Sequence, residues 1–237
     1  MKVIAILGMH RSGTSCLTGM LENAGLHLGA VSRRNPYNKK GNNEHPRIMA
    51  LHEAVLATNQ GSWKVPPRGG CCWDGEHLME LRGLLEEHSH LETWGFKDPR
   101  TLFTLEGWLE VVPEIQFIGS FRHPAAVARS LVARGGGPLS QHLELWWLYN
   151  RRLIHFQDRF GFDLVCFDDS PEVYVERVVE AARNLGLNPT RSALTFFDRG
   201  LRTHRGREDL PLPGHVENVY QELLSRSLPC WDSSASR

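Results

Sequence analysis

The 237-residue sequence lacks an excess of either charge, a disulfide framework and any long apolar run. Its 27 Lys and Arg residues equal its 27 Asp and Glu residues, so no broad basic face for nucleic acid is expected. Its apolar runs are far shorter than the roughly 20 residues that cross a bilayer, so no membrane span is expected either. Any binding site for a charged ligand must therefore be local.

The cysteines are too irregular in number and spacing to indicate a metal site or a set of disulfides: they are Cys16, Cys71, Cys72, Cys166 and Cys230. We therefore interpret them as reduced thiols. The first predicted strand begins at residue 2, which leaves no room for a signal peptide. Both observations lead us to expect a cytoplasmic protein.

The chain is long enough for one full core, so we expect a single domain over residues 1–237. Residues 30–45 and 59–75 are dense in polar or turn-forming residues. We interpret these two loops either as lids over an acceptor or as loops that are packed down or solvated. Residues 226–237 are expected to form a frayed tail.

The start of the chain combines a strand, a glycine-bracketed loop and a helix. An aliphatic run typical of a buried strand precedes the loop, and residues 14–24 carry apolar side chains at helical spacing. Gly8 and Gly13 have the spacing of a P-loop, in which backbone N–H groups and a helix N-terminus bind phosphate. However, Thr14 stands where an ATP- or GTP-using P-loop has its lysine, and the cation in this loop is Arg11.

Two further motifs follow predicted strands. One is the sequence Lys-Asp-Pro-Arg at residues 97–100, at the end of a strand, where ligands of an open α/β sheet bind. The other places Arg122 at a strand end, Pro124 at the start of the next helix and Ser130 eight residues after the arginine. An arginine fork, a hydroxyl and a helix N-terminus together favour a second phosphate site.

In this order, the three motifs resemble those of bacterial-type sulfotransferases, which use 3′-phosphoadenosine 5′-phosphosulfate (PAPS) and have a P-loop-like fold. We accordingly predict a three-layer α/β fold with a mainly parallel central sheet flanked by helices. The resemblance implies a PAPS site formed by the first and third motifs: Arg11, Ser12, Gly13, Thr14, Ser15, Arg122 and Ser130. This chain has His123 where the family usually has Asp or Asn, a departure expected to leave the phosphate contacts intact and to affect helix capping.

The resemblance also implies a reaction: transfer of a sulfuryl group from PAPS, as co-substrate, to the hydroxyl or amine of a small-molecule or glycan acceptor, without a metal. Glu44 is the candidate general base, because related enzymes carry an acidic residue in this region and a neutral hydroxyl is a poor nucleophile. Lys97 and Arg11 are the candidate catalytic cations. The alternatives are that Glu44 caps the helix beginning near Pro46 and that residues 97–100 form a salt-bridged turn.

Other functions stay open at this point. The strand that ends at Asp168 imitates a Walker B strand, so an Mg²⁺-dependent kinase is the second hypothesis, although the P-loop lysine is missing. A non-catalytic nucleotide-binding protein and an interaction protein that binds no nucleotide are the others. The basic segment at residues 202–207 either closes over the nucleotide, as in sulfotransferases, or lies in solvent.

Overall fold

A parallel β-sheet organises the protein, as the sequence predicted. The computed structural model describes residues 1–33, 41–189 and 210–229. Within these residues the sheet consists of β1 (Lys2–Leu7), β2 (Thr93–Lys97), β3 (Gln116–Phe121) and β4 (Leu164–Cys166). All neighbouring strands run parallel, in the order β2-β1-β3-β4. The predicted α/β class and the mainly parallel sheet are therefore confirmed.

Helices connect the strands and cover both faces of the sheet. They are α1 (Thr14–Asn23), α2 (Pro46–Thr58), α3 (Gly75–His88), α4 (Thr101–Val111), α5 (Pro124–Gly135), α6 (Leu139–Phe160), α7 (Pro171–Asn184) and α8 (Gly214–Arg226). The basic segment 202–207 and Cys230 lie outside the described residues.

The alternation of side chains along β1 explains the three layers. Val3, Ala5 and Leu7 point into one core, where they meet residues of α2 to α6 and α8. Ile4 and Ile6 point into the opposite core, with residues of α1 and α7. Because both faces are covered, nearly every residue of the strand is buried, and it therefore appears in the sequence as a continuous apolar run.

The carboxyl ends of the strands gather the three sequence motifs at one edge of the sheet. The loop at residues 8–13 follows β1, Lys97 ends β2, and Arg122 follows β3 directly. In an open parallel sheet this edge is where ligands bind. Because β1 and β3 are neighbours, Arg122 lies beside the loop at residues 8–13, although more than 100 residues separate them in the sequence.

A short segment outside β2 brings Glu44 to the same edge. The carbonyl of His27 accepts a hydrogen bond from the N–H of Gly95 at 2.8 Å, so the chain after α1 runs along β2. Ser32 then forms an antiparallel bridge with Glu44: the N–H of Ser32 donates to the carbonyl of Glu44 at 2.9 Å, and the N–H of Asn43 donates to the carbonyl of Ser32 at 3.1 Å. The rest of the predicted loop, residues 34–40 with Arg34, Lys39 and Lys40, lies outside the described residues.

The second predicted loop, residues 59–75, is held against the helices by its two tryptophans. The indole N–H of Trp73 donates to the carbonyl of Thr104 at 3.1 Å, and its ring lies over Gly107. The hydroxyl of Tyr149 donates to the carbonyl of Trp63 at 2.9 Å. These contacts match the packing interpretation of this loop.

Candidate active site

The loop after β1 adopts a conformation that requires its two glycines. Gly8 and Gly13 have φ angles of 147° and 83°, in the region that favours glycine. A Cβ atom at Gly8 would lie 2.3 Å from the carbonyl oxygen of Ser120, and one at Gly13 would lie 2.2 Å from the ring of Phe167. The loop therefore passes so close to the ends of β3 and β4 that no side chain fits at either position.

The N-terminus of α1 is open toward this loop. Gly13 is its N-cap and makes no side-chain capping hydrogen bond, and the first turn contains no acidic residue. The first N–H groups of a helix have no partner within the helix and carry partial positive charge. Ser12 is buried, and its carbonyl accepts a hydrogen bond of 2.7 Å from the hydroxyl of Ser120, which anchors the loop. This arrangement suits a phosphate-sized anion.

Arg11 joins the loop to the predicted second phosphate site. Its Nε donates to the hydroxyl of Ser130, on α5, at 2.8 Å. Burial lowers the pKa of Arg11, and the nearby charges of Arg134 and Arg122 lower it further. Three guanidinium groups thus lie close enough to influence one another, an arrangement that an anion with several charges would stabilise.

Arg122 is buried directly behind that position. Its guanidinium lies over the ring of Phe167, 5.3 Å from the centroid, and its carbonyl accepts a hydrogen bond of 3.0 Å from the indole of Trp146. Its Nε donates to Asp168 Oδ1 at 3.3 Å, and the N–H of His123 donates to Asp168 Oδ2 at 2.6 Å. The aspartate that imitates a Walker B residue therefore binds the arginine motif.

His123 retains a capping role despite its departure from the family pattern. Its Nδ1 accepts a hydrogen bond of 3.2 Å from the N–H of Ala125, in the first turn of α5. An imidazole nitrogen therefore takes the place of the Ser, Thr, Asp or Asn oxygen that is preferred at an N-cap. The substitution changes the chemical group and keeps the cap.

Glu44 and Lys97 form the other half of the site. Lys97 Nζ donates to Glu44 Oε1 at 2.7 Å, and both side chains are buried. The same ammonium lies 3.4 Å from the hydroxyl of Ser15, in the first turn of α1. This pair connects the end of β2 to the phosphate-binding loop.

The alternative that Glu44 caps α2 does not match the geometry. The N-cap of α2 is His45, and no side chain makes a capping hydrogen bond there. The carboxylate of Glu44 instead contacts Lys97, and its other oxygen lies 3.5 Å from the amide nitrogen of Asn42. Glu44 therefore contacts the end of β2 and does not cap the helix.

The turn at residues 97–100 is also a salt-bridged turn, as the alternative interpretation predicted. Asp98 Oδ1 accepts from the backbone N–H of Arg100 at 3.0 Å and from its guanidinium at 2.9 Å. Burial alone would raise the pKa of Asp98, but the hydrogen bond from His52 and the charge of Arg100 outweigh it and hold the pKa below its usual value. Asp98 is thus a buried, charged anchor of the turn.

Two histidines at the site had no signal in the sequence. His52, on α2, contacts Asp98 with its Nδ1 at 3.1 Å. His10, in the loop after β1, lies with its ring 4.6 Å from that of Trp63, and its Nε2 is buried without a hydrogen-bond partner in the described part of the chain. Burial and the charge of Arg100 lower the pKa of His10 to about 3. His52 belongs to no motif, and His10 occupies a position of the glycine loop that the Gly8–Gly13 spacing leaves unspecified. The contacts of both residues are with distant segments.

The predicted site residues therefore divide into two groups around one loop. Arg11, Ser130 and Arg122 lie on the side of α5, which we call the nucleotide side after the ligand that the sequence predicts for it. Glu44, Lys97 and Ser15 lie on the side of β2, which we call the acceptor side for the same reason. Ser12, Gly13 and Thr14 lie between them, in the loop and at the start of α1.

Two absences complete the description of the described ranges 1–33, 41–189 and 210–229. They contain no group of three or more His, Cys, Asp or Glu residues arranged to hold a metal ion. They also contain no helix with the length and apolar character that a membrane crossing requires.

Comparisons with known proteins identify the fold. No protein-family model matches the sequence, and no curated protein matches it either. Solved structures do match. The sulfotransferase domain of the Synechococcus PCC 7002 olefin synthase is 17% identical, with a TM-score of 0.61 over 97% of this chain and 96% of that one. The sulfotransferase domain of the curacin biosynthetic pathway is 16% identical, with a TM-score of 0.57 over 96% of this chain and 99% of that one.

A third structure, sulfotransferase STF9 from Mycobacterium avium, is 14% identical, with a TM-score of 0.53 over 94% of this chain and 76% of that one. At such identities the likeness establishes the fold and leaves the reaction to the residues of the site. The chain has the P-loop-like α/β fold of sulfotransferase domains. The predicted resemblance to sulfotransferases is thereby confirmed at the level of the fold.

Proposed function

We propose that this protein is a PAPS-dependent sulfotransferase that transfers a sulfuryl group to a hydroxyl or amine of an acceptor. The observation that carries the proposal is the contact between Arg11 and Ser130, at 2.8 Å. It joins a phosphate loop without the P-loop lysine to a second anion site with its own arginine. A nucleotide with separate 5′ and 3′ phosphate groups needs two such sites, whereas a triphosphate chain needs the lysine.

The residues present fit this nucleotide. The glycine loop and the N-terminus of α1 suit its 5′ end, and Ser130 with Arg122 suits its 3′-phosphate. Arginine binds phosphate oxygens through a planar fork with several donors, which a single ammonium does not provide. When bound, PAPS supplies a sulfuryl group that is already activated by its link to a phosphate.

On the acceptor side, the chain provides a carboxylate and an ammonium in contact. Glu44 takes the proton from the acceptor hydroxyl or amine as the new bond to sulfur forms and the bond from sulfur to the phosphate oxygen breaks. The ammonium of Lys97 lies between Glu44 and Ser15. From there it stabilises the negative charge on the sulfuryl oxygens and on the leaving phosphate. Arg11 supports the same charge from the nucleotide side.

The kinase hypothesis finds less support. A kinase of the P-loop type uses the aspartate at its Walker B position to hold Mg²⁺, and here Asp168 contacts Arg122 and the N–H of His123. We therefore propose a reaction that requires no metal. We also propose a small-molecule or glycan acceptor and a reducing, cytoplasmic location. Among the described residues, Cys16, Cys71, Cys72 and Cys166 are not joined in disulfides.

A transfer assay tests the proposal. The protein is incubated with PAPS labelled in its sulfuryl group and a panel of alcohols, phenols, amines and glycans, with and without EDTA. We expect label to move to at least one acceptor at a rate that EDTA does not change. Phosphoryl transfer from ATP that EDTA abolishes would establish the kinase instead, and binding of adenosine 3′,5′-bisphosphate without any transfer would establish a nucleotide-binding protein.

A further inference from the structure

Three contacts join α2 and the segment before it to the turn at residues 97–100. Lys97 contacts Glu44 at 2.7 Å, Asp98 contacts His52 at 3.1 Å, and Arg100 contacts Glu53 at 2.7 Å. Glu53 is exposed and the side chain of Glu44 keeps 10% of its surface accessible, whereas His52 and Asp98 are 0% and 1% exposed. A buried contact between two polar groups is strengthened by its surroundings and is expensive to lose. The middle contact is therefore the strongest candidate for fixing the turn.

The protonation state of His52 follows from its neighbours. The indole N–H of Trp108 donates to Nε2 of His52 at 2.8 Å, so this nitrogen carries no proton. The proton of the neutral ring is then on Nδ1, which donates to Asp98 Oδ2. A hydrogen-bonded chain thus runs from Trp108 through His52 to Asp98.

This chain ends next to the acceptor side of the site. Asp98 follows Lys97 directly, and its other oxygen binds the backbone N–H and the guanidinium of Arg100. We propose that His52 is a positioning residue. Through Asp98 it fixes the turn at residues 97–100 against α2 and thereby holds Lys97 in contact with Glu44 and Ser15. The catalytic part of this inference rests on the proposed sulfuryl transfer, whereas the effect on the position of Lys97 does not.

Two substitutions separate positioning from stability. His52→Leu removes the donor to Asp98. His52→Asn keeps an N–H donor at the place of Nδ1 but removes Nε2, the acceptor for the indole N–H of Trp108. Trp108→Phe is the matched control: it removes the other hydrogen bond of His52 from the same buried cluster and leaves the contact with Asp98 in place.

The first readout is chemical labelling of Lys97, which is buried against Glu44, relative to the exposed Lys64 in the same molecule. With acetic anhydride and mass spectrometry, we expect His52→Leu to raise the acetylation of Lys97 at least about tenfold at an unchanged rate for Lys64. His52→Asn should stay within about threefold of the wild type, and Trp108→Phe should lower the melting temperature without raising the labelling.

The second readout is the rate of transfer. His52→Leu should lower kcat at least about tenfold, with little change in the KM of the acceptor and in the affinity for adenosine 3′,5′-bisphosphate, since the nucleotide side is untouched. Labelling and kcat within about twofold of the wild type in folded His52→Leu would overturn the inference. Equal effects of Trp108→Phe and His52→Leu would overturn it too, because the loss would then follow stability alone.

If His52→Leu does not fold, His52→Gln replaces it, because its amide lies one bond farther from the backbone than that of Asn. The inference then predicts high labelling of Lys97 in His52→Gln and low labelling in His52→Asn, and equal labelling would contradict it. A wild-type protein that transfers no sulfuryl group refutes the proposed function, while the labelling comparison still decides whether His52 positions the turn.

Discussion

The nucleotide side and the acceptor side of the loop differ in the charges that surround their cations. On the nucleotide side, Arg11 donates to the hydroxyl of Ser130, Arg122 contacts Asp168, and burial together with the charges of Arg134 and Arg122 lowers the pKa of Arg11. On the acceptor side, Lys97 donates to the carboxylate of Glu44. The first arrangement brings several cations close together, which an added anion stabilises, whereas the second places one ammonium against one carboxylate.

This difference suggests a division of labour. Several arginines that raise one another's electrostatic energy favour a ligand with multiple negative charges. A carboxylate in contact with an ammonium instead suits an uncharged acceptor. The carboxylate takes the proton of the acceptor, and the ammonium stabilises the negative charge of the transition state. Substitutions on the two sides should therefore have opposite signatures: loss of binding on one and loss of turnover on the other.

The largest effect is expected on the acceptor side. Glu44→Gln removes the proposed base and should lower kcat by about a hundredfold or more, because positioned proton transfer contributes about that much. Affinity for adenosine 3′,5′-bisphosphate, measured by calorimetry, should change little. Glu110→Gln, an exposed carboxylate on α4, is the control. Turnover near the wild-type value in Glu44→Gln would assign the role of base to another group.

On the nucleotide side, Arg122→Ala should weaken the binding of adenosine 3′,5′-bisphosphate by about 10- to 100-fold, as expected for a lost hydrogen bond to a charged group. Arg122→Lys should recover only part of this loss, since an ammonium lacks the planar fork. Arg82→Ala, at an exposed position of α3, removes the same charge as a control. Equal affinity in Arg122→Ala and Arg82→Ala would remove the distinction between the two sides.

A smaller effect concerns His10, which lies in the loop between the two sides. Its pKa is lowered from 6.5 to about 3 in the folded protein. Between these two pH values the unfolded chain binds a proton at this histidine and the folded protein does not, so the free energy of unfolding decreases as the pH falls from 6.5 to about 3. Denaturant titrations should show that His10→Gln loses about 2 kcal/mol less stability than the wild type between pH 6.5 and about 4.5. His155→Gln, at an exposed position of α6, should lose as much as the wild type. Identical acid dependence in all three proteins would contradict the burial of His10.

The sequence predicted the nucleotide side better than the acceptor side. Gly8, Gly13, Arg122 and Ser130 belong to local motifs, in which a loop or helix start dictates the residue type, and the structure brings them to one edge of the sheet. The helices and strands were predicted because their apolar periodicity is local as well.

The acceptor side depends on contacts between distant segments. Lys97 meets Glu44, 53 residues away, and Asp98 meets His52, 46 residues away. No spacing rule links such pairs, so the sequence identified Glu44 and Lys97 only through the family resemblance and gave no indication of His52. Residues 202–207, whose role was also left open, lie outside the described residues and stay a prediction.

The most direct test of a two-site nucleotide is a calorimetric comparison of three ligands on the wild-type protein. Adenosine 3′,5′-bisphosphate and adenosine 5′-monophosphate differ only in the 3′-phosphate, and ATP has the triphosphate chain instead. The account predicts that the bisphosphate binds at least about tenfold more tightly than either of the others. Equal affinity for the bisphosphate and the monophosphate, or a preference for ATP, would contradict it.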